Sequence, residues 1–170
     1  MEAVTQTFEP ADNRPVVIFS QDEAIFGRIN KVVSCWAPFG IRPLVPHQIV
    51  RQYLYVYSAI CPLTGDNFTL ILPKTNAAAM QIFLDELSKK FISNRIILLA
   101  DQASWHKSQE IKMPSNIRML YIPPRSPELN PTEHLWEYLR ENHFHNREFS
   151  SLDFLEDALV EAINKSLSEN

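Results

Sequence analysis

Glycine is almost missing from this chain, with 3 in 170 residues, so there is no GxGxxG or GxxxxGK loop to cradle a phosphate, and nucleotide-binding folds lose their main support. Cysteine is nearly as scarce. Cys35 and Cys61 form no CxxC pair and fit neither a disulfide framework nor a cysteine zinc site. No run approaches the roughly 18 apolar residues of a spanning helix, so no membrane partner is expected. The N-terminal stretch MEAVTQTFEPADNRP is polar and acidic and lacks the basic start and apolar core of a secretory signal. The compartment expected is therefore a reducing cytoplasm. Repeats and low-complexity segments are absent too. The length corresponds to one domain at roughly 100 to 200 residues each, read here as a polar lead over 1–14 and a folded domain over 15–170.

A basic excess is also lacking, since the formal net charge is -4. Its distribution matters more than its sign. Residues 151–170 hold Asp153, Glu156, Asp157, Glu161 and Glu169 against Lys165 alone, and the first 150 residues balance at 15 basic to 15 acidic. Carboxylates that hold cations would leave that body effectively positive. Composition thus neither excludes DNA as a partner nor shows it.

The patterning predicts mixed α/β structure. VVIFS at 16–20 reads as a strand ending near Gln21, Asp22 and Glu23. YLYVYSAI at 53–60 and NFTLIL at 67–72 flank the turn residues Pro62, Gly65 and Asp66, which predicts a hairpin. Met80, Phe83, Leu84, Leu87 and Phe91 fall at helical spacing behind a capping Asn76. RIILLA at 95–100 reads as a buried strand entering Asp101, and NIRMLYI at 116–122 as a strand stopped by Pro123 and Pro124. A helix is predicted from Pro131 through TEHLWEYLRENH, and a last one from Ser150 with Asp153, burying Leu152, Leu155, Leu159, Ala162 and Ile163.

Three acids stand out by position. Asp22 and Asp101 each follow a buried strand, and the carboxyl ends of strands are where open α/β sheets bind ligands. Glu133 lies in the first turn of a helix behind a proline-rich loop. Singly, Asp22 and Asp101 are more often turn or capping residues and Glu133 more often a complement to the helix dipole. Together, three converging carboxylates repel unless a cation neutralises them, and hard divalent ions, Mg²⁺ or Mn²⁺, suit oxygen ligands. Two such ions can clamp both the attacking and the leaving oxygen of a phosphodiester. The histidines of ENHFHNR, His143 and His145, are explained by a solvated helix end, whereas His106, close after Asp101, is a candidate for touching a phosphate. Ser34 and Ser104 show no nucleophile arrangement. Tyr53, Tyr55 and Tyr57 share one strand face, where packing explains them.

The segments FSQDEAIFGR, LLADQASWHKS and YIPPRSPELNPTEHLWEYLR, around Asp22, Asp101 and Glu133, resemble the DDE transposases of the mariner superfamily, in particular the bacterial insertion sequence 630 group. VVSCWAPFGIRP at 32–43, with Trp36, Gly40 and Pro43, adds to the likeness, which covers about residues 15–160. The resemblance implies a ribonuclease H-like fold, a mixed sheet with helices on both faces. It implies Asp22, Asp101 and Glu133 as a catalytic triad holding two Mg²⁺ (or Mn²⁺) ions, with Asp22 rather than Glu23 as the first acid. The reaction implied is strand cleavage by water at element ends, then attack of the freed 3′-hydroxyl on target DNA, typically at TA. His106, Lys107 and Arg125 become candidate DNA-backbone contacts.

The chain departs from the pattern in three places. The 31 residues between Asp101 and Glu133 are somewhat fewer than usual in the superfamily. Gln102 stands where Asn is common, and the helix-turn-helix domains that precede the catalytic domain are not expected within residues 1–15. The implied partners are DNA, a separately encoded helix-turn-helix portion joined by frameshifting, and a second copy in a homodimer, in a nucleoid-associated cytoplasmic protein. A truncated, non-catalytic interaction module of the same fold is the alternative, and a two-metal nuclease not tied to an element is a third.

Overall fold

The computed structural model describes residue 8 and residues 12–106, 108–124 and 126–168. One five-stranded sheet has the order β3-β2-β1-β4-β5, with β1 Val16–Ile29, β2 Ile49–Ile60, β3 Asn67–Leu72, β4 Arg95–Ala100 and β5 Ile117–Tyr121. The helices are α1 Ala77–Lys90, α2 Thr132–Leu139 and α3 Leu152–Ser168. A 3-10 turn at Pro127–Leu129 precedes α2, and a π-helical turn at Arg140–Phe144 follows it. β2 and β3 pair antiparallel, while β4 runs parallel to both β1 and β5, so the sheet is mixed, as the segment order predicted. Among the described residues no helix is long and apolar enough to cross a membrane.

The chain forms two compact units, one of residues through Ala24 with Tyr55–Glu133, the other of Ile25–Leu54 with His134 onward. In the first unit the hairpin closes where Cys61 N–H donates to the Asp66 carbonyl at 2.8 Å. Gly65 takes φ +76° there, the left-handed conformation that glycine adopts without steric cost. Asn76 Oδ1 accepts from Ala79 N–H at 2.8 Å and caps α1 as read from the sequence. The apolar face of α1, Met80, Phe83, Leu84 and Leu87, is wholly buried against Phe19, Tyr57, Ile96, Leu98 and Ile117. Each such side chain stabilises the fold by about 1.5–3 kcal/mol relative to exposure.

The second unit is built around Phe26, whose ring lies 5.0 Å from Phe144 and 6.3 Å, edge-on, from Trp136. Arg28 donates to the carbonyls of Phe149 and Ser150 at 2.7 and 2.6 Å, and the Gln48 amide bonds both N–H and C=O of Phe149. Gly27 leaves room for the Tyr53 ring, which a Cβ at that position would overlap.

Four boundaries differ from the reading of the sequence, and β2 is one of them, beginning at Ile49 and not at Tyr53. β1 does not stop near Asp22 but runs to Ile29. The polar Gln21–Asp22–Glu23 trio interrupts the apolar run without ending the strand, because Ala24 and Phe26 are buried with Ile25 exposed between them, the alternation of a strand. The helix from Pro131 leaves α geometry after Leu139, where His145 N–H reaches back five residues to the Arg140 carbonyl at 2.9 Å, and Phe144 is buried by that wider turn. The last helix is capped by Ser151, not Ser150, its Oγ accepting from Phe154 N–H at 3.2 Å.

Candidate active site

Asp22 and Asp101 are brought together by strand register. Ser20 of β1 pairs with Leu99 of β4 in parallel, the last pair of that ladder, and Asp22 and Asp101, each two residues beyond it, line the same cavity. The sequence separation of the two acids is thus erased by one strand pair.

Glu133 is delivered by a tether between α2 and β1. The buried Thr132 hydroxyl donates to the Ser20 carbonyl at 2.9 Å, and the Asn130 amide reaches the Gln21 carbonyl at 3.4 Å. Asn130 also caps the helix, its side-chain oxygen accepting from Thr132 N–H at 3.3 Å and its carbonyl from Glu133 N–H at 3.1 Å. The first turn of α2 is therefore fixed to the two residues that precede Asp22. Asp22, Asp101 and Glu133 line one cavity of about 390 Å³, with Gln102, Ser126 and Asn130 as polar neighbours and Pro123 and Pro124 in its wall. The longer amide of Gln102 is turned to the end of β5, donating to the Ile122 carbonyl at 3.1 Å.

The immediate neighbour of Asp22 is used differently. Glu23 Oε1 lies 2.8 Å from His106 Nε2 and accepts from Trp105 Nε1 at 3.4 Å. His106 Nδ1 lies 2.9 Å from Asp101 Oδ1 and 3.2 Å from the Asp101 carbonyl. Among the described residues the neighbours of both ring nitrogens are acceptors, so both nitrogens donate. Burial pushes the imidazole pKa down, but the hydrogen bond and charge of Glu23, and then Asp101, outweigh burial and leave it above the ordinary histidine value.

This geometry corrects one expectation. His106 is 3% exposed with both nitrogens engaged, so it offers no ring atom to a phosphate; the turn after Asp101 folds the ring inward. Lys107 and Arg125, the other two candidate backbone contacts, lie outside the described residues. Glu23, Asn130 and Thr132 are the site residues that sequence reasoning missed. Their signals were present: period-two alternation separates Glu23 from Asp22, and Asn followed by Pro-Thr-Glu is a helix start.

Asp22, Asp101 and Glu133 are the residues that could hold a hard divalent cation, being oxygen donors around an open polar cavity. Among the described residues no three His, Cys, Asp or Glu side chains stand close enough to enclose an ion as they are. Like-charged carboxylates repel, and only a cation between them gives a reason to close up.

The family model of the DDE superfamily endonucleases matches residues 17–156. The chain belongs to that family. Uncharacterized protein y4pE/y4sA of Sinorhizobium fredii (strain NBRC 101917 / NGR234) is 36% identical over 119 residues, 69% of this chain and 88% of its own length. The Mos1 transposase paired-end complex with left transposon end superposes with a TM-score of 0.63 at 19% identity, over 94% of this chain and 51% of that one. The HTLV-2 integrase catalytic core domain in complex with magnesium, dimeric form, gives 0.53 at 13% identity, over 92% and 86%. At those identities the likeness is one of fold, the ribonuclease H-like mixed sheet of transposase and integrase catalytic cores. This DDE chain spans about half the length of the Mos1 transposase chains it matches.

Proposed function

We propose that this DDE chain is the catalytic part of an insertion-sequence transposase that cuts DNA at element ends and joins the freed strand to a target. In this reading residues 15–170 act as one catalytic domain. The observation that carries the reading is the convergence of Asp22, Asp101 and Glu133, one from each family-like segment, on a single open cavity. Support for a divalent ion comes from the chemistry of the donors and from the magnesium named with the HTLV-2 integrase core. Support for DNA comes from the transposon end named with the Mos1 transposase.

Two Mg²⁺ or Mn²⁺ ions, when bound, would supply charge stabilisation to the attacking and leaving oxygens of the phosphodiester. Asp22, Asp101 and Glu133 would hold them, and none of the three acts as a nucleophile. Thr132 and Asn130 keep Glu133 next to β1, so that less of the site remains to be ordered when the ions bind, and catalysis rests on positioning. Lys107 and Arg125 would contact the DNA backbone, a contribution that weakens steeply with salt. A separately encoded helix-turn-helix portion would recognise the element ends, and a homodimer would pair them, in a nucleoid-associated protein.

The test is Mn²⁺ binding by electron spin resonance with a short duplex present, comparing the chain with Asp101→Asn. Binding that is lost in the variant, followed by metal-dependent cleavage once a helix-turn-helix partner is supplied, is the expected result. No binding by either protein with the fold intact would replace this reading with a non-catalytic module of the same fold.

A further inference from the structure

The adjacent acids Asp22 and Glu23 do not share a task. Asp22 lines the cavity, while Glu23 is buried to 7% exposure at its side chain and spends its Oε1 on His106 and Trp105. A buried carboxylate is costly unless paired, and this one is paired with a ring whose other edge meets Asp101. Three further bonds set the ring and its target. The Tyr121 hydroxyl donates to the His106 carbonyl at 2.9 Å, His106 N–H donates to the Ala103 carbonyl at 3.1 Å, and Ala103 N–H donates to Asp101 Oδ1 at 2.9 Å. Asp101 Oδ1 thus accepts from two protein donors, whereas its side chain remains 53% exposed at the cavity.

We propose that Glu23 and His106 are positioning residues for the cation site. They form a buried strut that holds Asp101 in the rotamer with Oδ1 turned inward to protein donors and Oδ2 left to a divalent cation. This rests on the reading of Asp101 as a cation ligand. The physical requirement is general, since a carboxylate ligand that swings freely must be ordered before it binds, and the partners that orient such ligands are worth about 10- to 100-fold in metal affinity. These buried bonds converge on one half-exposed carboxylate, and orientation of that carboxylate is what they accomplish.

The histidine has two edges, and two substitutions separate them. The Asn side chain places its amide nitrogen near the position of Nδ1, so His106→Asn keeps a donor toward Asp101. The Gln amide nitrogen falls near Nε2, so His106→Gln keeps the Glu23 bond and drops the one to Asp101. Both remove the ring, so a merely structural role would make them equivalent. Mn²⁺ titrations of the full chain by spin resonance with a duplex present, alongside circular dichroism for the fold, should show His106→Gln weakened about 10- to 100-fold and His106→Asn, which keeps the donor to Asp101 but loses the Glu23 anchor, weakened clearly less than His106→Gln. Equal affinities for the two folded variants, or a His106→Gln loss below about fivefold, overturn the proposal. If neither folds, Glu23→Leu decides. It keeps an apolar filling while removing the ring's outer anchor, and an unchanged Mn²⁺ affinity refutes the strut. Asp101→Asn is the control. If it too binds Mn²⁺ like wild type, the cation-site reading itself fails. If it alone loses binding, only the strut does.

Discussion

Thr132→Val is the perturbation that most directly examines how the candidate site is assembled. The hydroxyl is fully buried and donates to the Ser20 carbonyl at 2.9 Å across 112 residues of sequence. Valine has the same branched shape, so no cavity opens, and the change isolates one hydrogen bond together with the carbonyl left one partner short. Loss of a buried partner costs about 1–3 kcal/mol. At about 2–4 °C per kcal/mol for a chain of this size, the melting temperature should fall by roughly 2–12 °C. The urea slope should stay constant, since the same surface is exposed on unfolding. Because Glu133 is the next residue, metal-dependent cleavage should fall as well, and it should fall at temperatures where the variant is still folded. Thermal unfolding followed by circular dichroism and cleavage of a supplied end duplex check the two halves. A melting temperature within about 1 °C of wild type would refute the tether.

Asp22→Asn and Glu133→Gln should each lower cleavage at least about a thousandfold, the several kcal/mol that cation stabilisation supplies, and Glu133→Gln should do so without lowering the melting temperature, since it removes a like charge from the cavity rim; single-turnover nicking assays with a fold control measure this. Gly27→Ala should destabilise by about 1–3 kcal/mol, because the added methyl overlaps the Tyr53 ring with the Gln52 carbonyl 3.1 Å away, and Tyr53→Ala in the same chain should recover most of that loss in a double-mutant cycle. Tyr57 carries a phenol held well above its ordinary value by burial, with the charge of Glu23 adding to it, so the folded chain keeps a proton that the unfolded chain releases. Stability contributed by that group is full below about pH 10 and is lost as pH rises above it. Tyr57→Phe should flatten this fall while costing about 1 kcal/mol for the lost bond to the Lys74 carbonyl, and guanidinium midpoints at pH 9 and pH 11 decide the matter.

What was legible in the sequence was local. Asn76 capping α1, and Met80, Phe83, Leu84 and Leu87 on its buried face, follow from spacing alone, because a helix settles its register within a few residues. The hairpin likewise declares itself through Gly65 and its neighbours. The extent of β1 was not legible. Whether a strand continues through Gln21, Asp22 and Glu23 is decided by what is buried beyond them, and Phe26 packs against the distant Trp136 and Phe144. The same holds for the π-helical turn, which depends on Phe144 reaching Phe26. At the site, each acid could be pointed to from its segment, but their meeting depends on the β1–β4 register and on the Thr132 tether, neither of which spacing encodes. His106 shows the limit most clearly. A histidine six residues after the end of β4 reads as a group that can touch a phosphate, and only the fold of that turn reveals that it is buried between two carboxylates.

The Asp22–Glu23 pair shows why two adjacent acids need not be redundant. Consecutive side chains on a strand point to opposite faces, and exchanging their roles would require a one-residue slip of β1 that turns every side chain over. Such a slip would bring Phe19 and Phe26 out of their packed settings, a loss of about 1.5–3 kcal/mol for each. The core therefore enforces the assignment of the two acids. Asp22 is set toward the cavity by the same alternation that sets Glu23 toward His106, and apolar residues several positions away decide which carboxylate faces the site and which one supports Asp101.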